Sequence, residues 1–298
     1  MLRSFLSLLD LSSEELIQLV NRASELKKML REGKQHRPLE GKTLAMIFEL
    51  SSTRTRVAFE TGMFQLGGHA IFIDGKSSQL SRGEPVEDSA RVLSQMVDIV
   101  SIRTADHQRL QAFNNAASIP VINAMSDTLH PCQLLADIQT YQENRGSIAG
   151  KKIAFIGDGY NMCNSYMNAA DQFGFELRLA CPQGFRPDQH RVDQSNNIHL
   201  VESPEEAVEN TDLVVTDVWS SMGHEEVQAQ RTAAFKGYQV NSKLLDMADQ
   251  NVLFMHCLPA HRGEEISADL LHDPRSVAWE EAGNRLHSQK ALLEFLLK

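Results

Sequence analysis

Leu44-Ala45-Met46-Ile47-Phe48, followed after a gap of three residues by Ser52-Thr53-Arg54-Thr55-Arg56 and then by Val57, Phe59, Met63, Phe64 and Leu66, is the stretch that decides the fold. An unbroken apolar run that gives way to helical spacing predicts a strand feeding a helix, the repeating unit of a parallel sheet. The turn between them carries the chemistry. Hydroxyl side chains and an arginine at a helix start offer an anion unpaired backbone N–H groups, the positive end of the helix dipole and a guanidinium fork. Serine and threonine are also ordinary N-caps, and a first-turn arginine is ordinarily solvated, so the segment alone leaves both readings open.

The same alternation extends in both directions. Ser12-Ser13-Glu14-Glu15 is a capping box, and Leu16, Leu19, Val20, Ala23 and Leu26 follow at helical spacing, which predicts a first helix to about Glu32-Gly33. Strands are expected near 43–48, 69–73, 97–102 and 119–123, with helices near 54–66, 86–96 and 106–116. Pro131 opens a further helix to about 145, closed by Gly146 and Gly150. A second series then begins at Lys152-Ile153-Ala154-Phe155-Ile156 and continues through strands at 176–180, 212–216 and 251–255. The expected class is α/β, with two doubly wound parallel-sheet domains. The last segment, Asn284 to Leu297, is apolar enough to strap one domain to another.

A chain of 298 residues suits two domains, and 42% hydrophobic with 23% charged residues is ordinary for a soluble globular protein. No run of 18 apolar residues occurs, and Asp10 interrupts the N-terminal stretch too soon for a signal peptide, so a cytoplasmic protein with no membrane partner is expected. Cys132, Cys163, Cys181 and Cys257 lie far apart without a CxxC, and HExxH is absent; the four read as reduced thiols and no metal is expected. A net charge of -10 argues against nucleic acid as a partner. It also requires any anion site to concentrate its cations locally, and Arg54, Arg56, Arg82 and Arg103 are the candidates.

Gly157-Asp158-Gly159, after a strand and before a helix, is half of a dinucleotide fingerprint. Position 162 is Met, and the next strand ends Ala180-Cys181-Pro182 with no acid to hold a ribose, so no nicotinamide cofactor is expected. A general crevice at the strand ends, with Asn161 facing the ligand, is the better reading.

Four more segments fall where strands end or helices begin: Arg103-Thr104, His130-Pro131-Cys132-Gln133, Asp217-Val218-Trp219-Ser220-Ser221-Met222-Gly223 and His256-Cys257-Leu258-Pro259. Each alone is weak, because a lone histidine or cysteine is more often structural. With Ser52-Thr53-Arg54-Thr55-Arg56 they resemble the transcarbamoylases, in order and over nearly the whole chain, and DxxxSMG with HCLP resembles the ornithine branch of that family.

The resemblance implies transfer of a carbamoyl group from carbamoyl phosphate to the δ-amine of ornithine, without metal or cofactor. It implies a carbamoyl phosphate domain over 1–130 plus the C-terminal helix at about 284–298, which packs back on it, and an ornithine domain over 131–283. For carbamoyl phosphate it implies Ser52, Thr53, Arg54, Thr55, Gln79, Arg103, His130, Gln133, Cys257, Leu258 and Arg285; for ornithine, Asn161, Asp217, Ser221 and Met222. Cys257, Arg103, His130 and Asp217 are the expected catalytic residues. Gln79 resembles the family's loop that reaches a neighbouring subunit, which implies a homotrimer or a multiple of trimers. Two positions depart from the family pattern: Arg82 stands where lysine is common, and Gly283 where glutamate is common. A transcarbamoylase for another amine and a catalytically silent relative remain open on these residues.

Overall fold

The computed structural model describes residues 3–75, 83–219 and 228–298. The chain divides into two compact units, Met1–Gln139 with Gly283–Lys298, and Thr140–Ala282.

The first unit opens with helix α1 (Ser13–Arg31), whose Ser12 side chain accepts from the Glu15 backbone N–H while the Glu15 carboxylate accepts from the Ser12 N–H, the reciprocal cap that the sequence predicts. There follow β1 (Thr43–Phe48), α2 (Thr53–Gln65), β2 (His69–Asp74), α3 (Val86–Leu93), β3 (Ile99–Arg103), α4 (His107–Ala116) and β4 (Val121–Met125), then α5 (Pro131–Arg145). The four strands are parallel in the order β2-β1-β3-β4. Leu44 to Phe48 are all buried, as a strand covered on both faces requires, and each large apolar side chain there contributes about 1.5–3 kcal/mol. Edge strand β2 instead stays half exposed along its length.

The second unit contains β5 (Lys152–Ile156), α6 (Asn161–Phe173), β6 (Glu176–Ala180), α7 (Gln189–Asp193), β7 (Ile198–Val201), α8 (Pro204–Val208), β8 (Leu213–Thr216), α9 (Gln228–Ala234), α10 (Ser242–Leu245) and β9 (Leu253–His256). Its five parallel strands run β7-β6-β5-β8-β9. Both sheets therefore match the expected class.

Two local differences stand out. Strand β7 escapes the sequence pattern because it is four residues long, half exposed and at the sheet edge. The closing helix α11 (Ala278–Leu297) starts six residues before Asn284. From Gly283 onward it belongs to the first unit, where Lys290 Nζ donates to Gln65 Oε1 at 2.9 Å and Glu294 accepts from Arg22 at 3.1 Å and pairs with His36 at 2.9 Å. A side chain at Gly283 would meet no atom within 4 Å, so the absent glutamate leaves no gap in the packing of this chain.

The strand orders fix where ligands can bind. In the first unit the chain winds outward from β1 to β2 and then crosses to β3, so the reversal lies between β1 and β3. In the second it lies between β5 and β8. Crevices at such reversals, beyond the carboxyl ends of the strands, are the binding places of parallel sheets. Ser52–Thr55 and Arg103 stand at the first reversal, Asn161 and Asp217 at the second.

Candidate active site

In the first unit, Ser52 precedes α2 with extended backbone (φ -159°, ψ 112°), and its side chain makes no capping hydrogen bond. The first turn contains no acid. The bland reading, a serine spent on its own helix, is therefore not what the structure has; the positive end of this 13-residue helix is left to Ser52, Thr53, Arg54 and Thr55.

The surrounding cations converge. His130, 5% exposed just before α5, is held well below the ordinary histidine pKa, first by burial and then by the positive charges of Arg285, Arg103 and Arg54. Residues separated by up to 231 positions thus surround one neutral imidazole. Arg285, itself buried in α11, donates through Nη1 to Gln133 Oε1 at 2.5 Å and through Nη2 to Thr55 Oγ1 at 3.1 Å. Gln133 Nε2 donates to Asp137 Oδ1 at 2.9 Å, so both ends of this amide are engaged in fixing Arg285. Cys132, in the same motif, is an inert thiol: burial pushes its pKa up to about 12 and it donates to the Asn123 carbonyl at 3.3 Å.

Because the folded-state pKa of His130 lies below the unfolded value, the unfolded chain takes up this proton first as pH falls. Stability is therefore expected to drop as pH falls below about 6.5, and His130→Gln to flatten that slope. Urea unfolding between pH 7 and 5 measures it, and an unchanged slope would contradict a neutral His130.

In the second unit, Asn161 opens α6, 5% exposed, on a helix start that has neither a side-chain cap nor a first-turn acid. Asp217 follows β8; its Oδ1 accepts from the Val218 N–H at 2.7 Å and from the Cys257 thiol at 3.1 Å. The enclosing protein raises the Asp217 pKa; His256, the Cys257 thiol and the Val218 N–H oppose that rise, while Glu265 adds to it.

Cys257 and Leu258 sit on a turn that buried polar groups hold in place. His256 Nδ1 accepts from the Leu258 N–H at 2.9 Å, its Nε2 pairs with Glu265 Oε1 at 3.1 Å, and its own N–H donates to Glu281 Oε2 at 2.8 Å. His256 and Glu265 side chains are fully buried. Leu258 is held at φ 56°, a left-handed conformation that costs a side-chain-bearing residue of order 1–3 kcal/mol and here sets how the turn presents its backbone. Glu265 and Glu281 are the participants that the sequence reading missed. Nothing in the periodicity around Arg262-Gly263-Glu264 signals that the next residue folds back beneath the strand end. Gln79, Ser221 and Met222 lie outside the described residues.

The glycines of Gly157-Asp158-Gly159 also have a structural reason. A Cβ on Gly159 would lie 2.3 Å from the Pro187 nitrogen and 2.7 Å from the Phe185 carbonyl oxygen, so this glycine serves close backbone packing of 185–187 against the turn.

Residues 3–143 match the family described as aspartate/ornithine carbamoyltransferase, carbamoyl-P binding domain, and residues 149–296 match its Asp/Orn binding domain. The chain belongs to the aspartate/ornithine carbamoyltransferase family. It is 59% identical over 297 residues to an ornithine carbamoyltransferase of Psychrobacter sp. (strain PRwf-1), covering 99% of this chain and 97% of that protein. It is 58% identical to the anabolic ornithine carbamoyltransferase of Pseudomonas aeruginosa, with the same coverage. The crystal structure of the ornithine carbamoyltransferase from Burkholderia thailandensis E264 superposes with a TM-score of 0.92 at 45% identity, over 99% of each chain.

Proposed function

We propose that this member of the family is an ornithine carbamoyltransferase, forming citrulline and phosphate from carbamoyl phosphate and L-ornithine. The observation that carries the donor side is the convergence of Arg54, Arg103 and Arg285 on neutral, buried His130 beside the uncapped start of α2. A dianionic phosphate needs that density of charged donors, and we assign it to Ser52, Thr53, Arg54 and Thr55 with Arg103 and Arg285. We take 1–130 with 284–298 as the carbamoyl phosphate domain and 131–283 as the ornithine domain, bounds that differ from those of the two compact units by 131–139 and Gly283.

The reaction forms a bond between the δ-nitrogen and the carbamoyl carbon and breaks the carbon–oxygen bond to phosphate, which leaves with the electron pair; the nitrogen gives up a proton. Negative charge develops on the carbonyl oxygen as the amine adds. Thr55, Arg103 and neutral His130 supply donors to it, and donors already fixed in place need no reorganisation. Asn161 at the positive end of α6 suits the α-carboxylate, and Asp217 the α-ammonium, with Ser221 and Met222 assigned beside them. An alkylamine has a pKa of about 10, so the site must favour its neutral form, and the linked Cys257 and Asp217 are assigned that proton. Gln133, its amide engaged by Arg285 and Asp137, is assigned to hold Arg285 in place, and Leu258 is assigned to bind the carbamoyl group.

Ornithine rather than aspartate as acceptor is supported by the names of the relatives at 58–59% identity and by the acid at 217, which matches a substrate ammonium. The assay is citrulline formation with ornithine, and carbamoyl transfer to putrescine, aspartate and acetylornithine in parallel. Turnover of ornithine in preference to the others is expected, and preference for another amine would overturn the acceptor assignment. An arginine-biosynthetic role is supported by the anabolic relative, and the cytoplasm is our reading of the sequence alone. No helix among the described residues is long and apolar enough to cross a membrane.

We also propose a homotrimer, with Gln79 reaching a neighbouring copy. Support comes from apolar side chains left exposed on α2 (Val57, Phe64) and on edge strand β2 (Ile71), where a self-association surface would place them. Sedimentation is expected near 100 kDa or a multiple, about three times the 33.4 kDa chain, and a 33 kDa species at assay concentration would contradict it.

A further inference from the structure

Arg231, on α9, is not in any motif that the family resemblance supplies, yet it contacts groups on both sides of the acceptor residues. Its Nε donates to the Trp219 carbonyl at 2.5 Å, and its Nη2 is paired with Asp158. The guanidinium lies over the Phe185 ring at 4.7 Å and the Phe235 ring at 5.9 Å, and Trp219 stacks on Phe235 with centroids 5.5 Å apart and planes at 24°. The Arg231 and Asp158 side chains are only 18% and 15% exposed.

The two groups that Arg231 joins each lead directly to an acceptor residue. Trp219 is two residues beyond Asp217, at the end of β8. Asp158 sits in the turn that leads from β5 to Asn161, which opens α6. These are the two edges of the sheet reversal between β5 and β8. A rigid planar fork with five donors holds a carbonyl and a carboxylate in fixed directions, where a lysine offers a single point charge on a flexible stem. Charge matters as well as position. Asp158 lies three residues before Asn161, near a helix start whose positive end suits a substrate carboxylate, and an unpaired carboxylate there would repel that substrate group.

We propose that Arg231 is a positioning residue for the amino-acid acceptor: it fixes the spacing between the Asn161 and Asp217 edges of the crevice and neutralises Asp158 so that the substrate α-carboxylate is accepted. The inference rests on the ornithine reading of the second unit.

The test compares wild type, Arg231→Ala, Arg231→Lys, Asp158→Asn and the double variant Arg231→Ala/Asp158→Asn, measuring KM for ornithine, KM for carbamoyl phosphate, kcat and the melting temperature. Arg231→Ala is expected to raise the ornithine KM by roughly 10–100-fold, the range for losing a charge-assisted contact, with the carbamoyl phosphate KM within about twofold. Arg231→Lys keeps the charge and recovers part of the loss. Adding Asp158→Asn to Arg231→Ala recovers part of it too, because the repelling charge is gone; a merely structural pair would show its rescue in the melting temperature and would move both KM values together. An unchanged ornithine KM in Arg231→Ala, an equal rise in both KM values, or a double variant worse than Arg231→Ala alone overturns the proposal. A wild type that carbamoylates no amino-acid acceptor sinks the functional reading and this inference with it, whereas an active wild type beside an unaffected Arg231→Ala enzyme sinks this inference alone.

Discussion

Arg103→Ala is expected to lower kcat for citrulline formation by roughly 10²–10³-fold, the cost of losing one fixed donor at a developing oxyanion. Arg103 ends β3 directly opposite Phe48 of β1, so the strand pairing that builds the sheet also places it level with the end of the strand that leads to α2. Its charge is one of three that keep His130 neutral. Removing it takes away a cation that His130 cannot replace, since burial and the charges of Arg285 and Arg54 still oppose protonation of the imidazole. The ornithine KM should change little, because Arg103 lies in the other unit from Asn161 and Asp217. Steady-state kinetics with both substrates varied measures this; kcat within about threefold of wild type would remove Arg103 from the oxyanion role.

Asp217→Asn is expected to raise the ornithine KM by roughly 10–100-fold, corresponding to about 1.5–3 kcal/mol for a hydrogen bond to a charged group. The substitution keeps the size of the side chain and an oxygen able to accept from the Val218 N–H and the Cys257 thiol, so it isolates the charge. It should also slow the chemical step, because an amide cannot take the proton that the Cys257–Asp217 link is assigned to receive. An ornithine KM unchanged from wild type would mean that the α-ammonium is held elsewhere.

The fold was legible where the sequence carries period and punctuation together. Leu44–Phe48 and the helical spacing after Arg56 give β1 and α2, and Ser12 with Glu15 gives the start of α1. Strand β7 was not legible: four residues on a sheet edge, half in water, need no hydrophobic pattern to pair with β6. For the site, residue types at strand ends were readable, and their convergence was not. That Arg285 reaches Thr55 across 230 positions depends on α11 returning to the first unit, which no local pattern encodes. Glu265 illustrates the deeper limit: two adjacent glutamates in a loop look solvated, and only the tertiary fold makes one of them a fully buried partner of His256. Gly159 teaches the reverse lesson, since a motif that looks like a phosphate turn owes its glycine to the backbone of 185–187.

In the function proposed for this protein, the first unit holds the donor and the second the acceptor. The most direct test of that division is a crossed measurement of both KM values in Arg54→Ala and Asp217→Asn. Arg54→Ala is expected to raise the carbamoyl phosphate KM and leave that for ornithine nearly unchanged, and Asp217→Asn to do the opposite. Equal loss of both substrates from either substitution would contradict it.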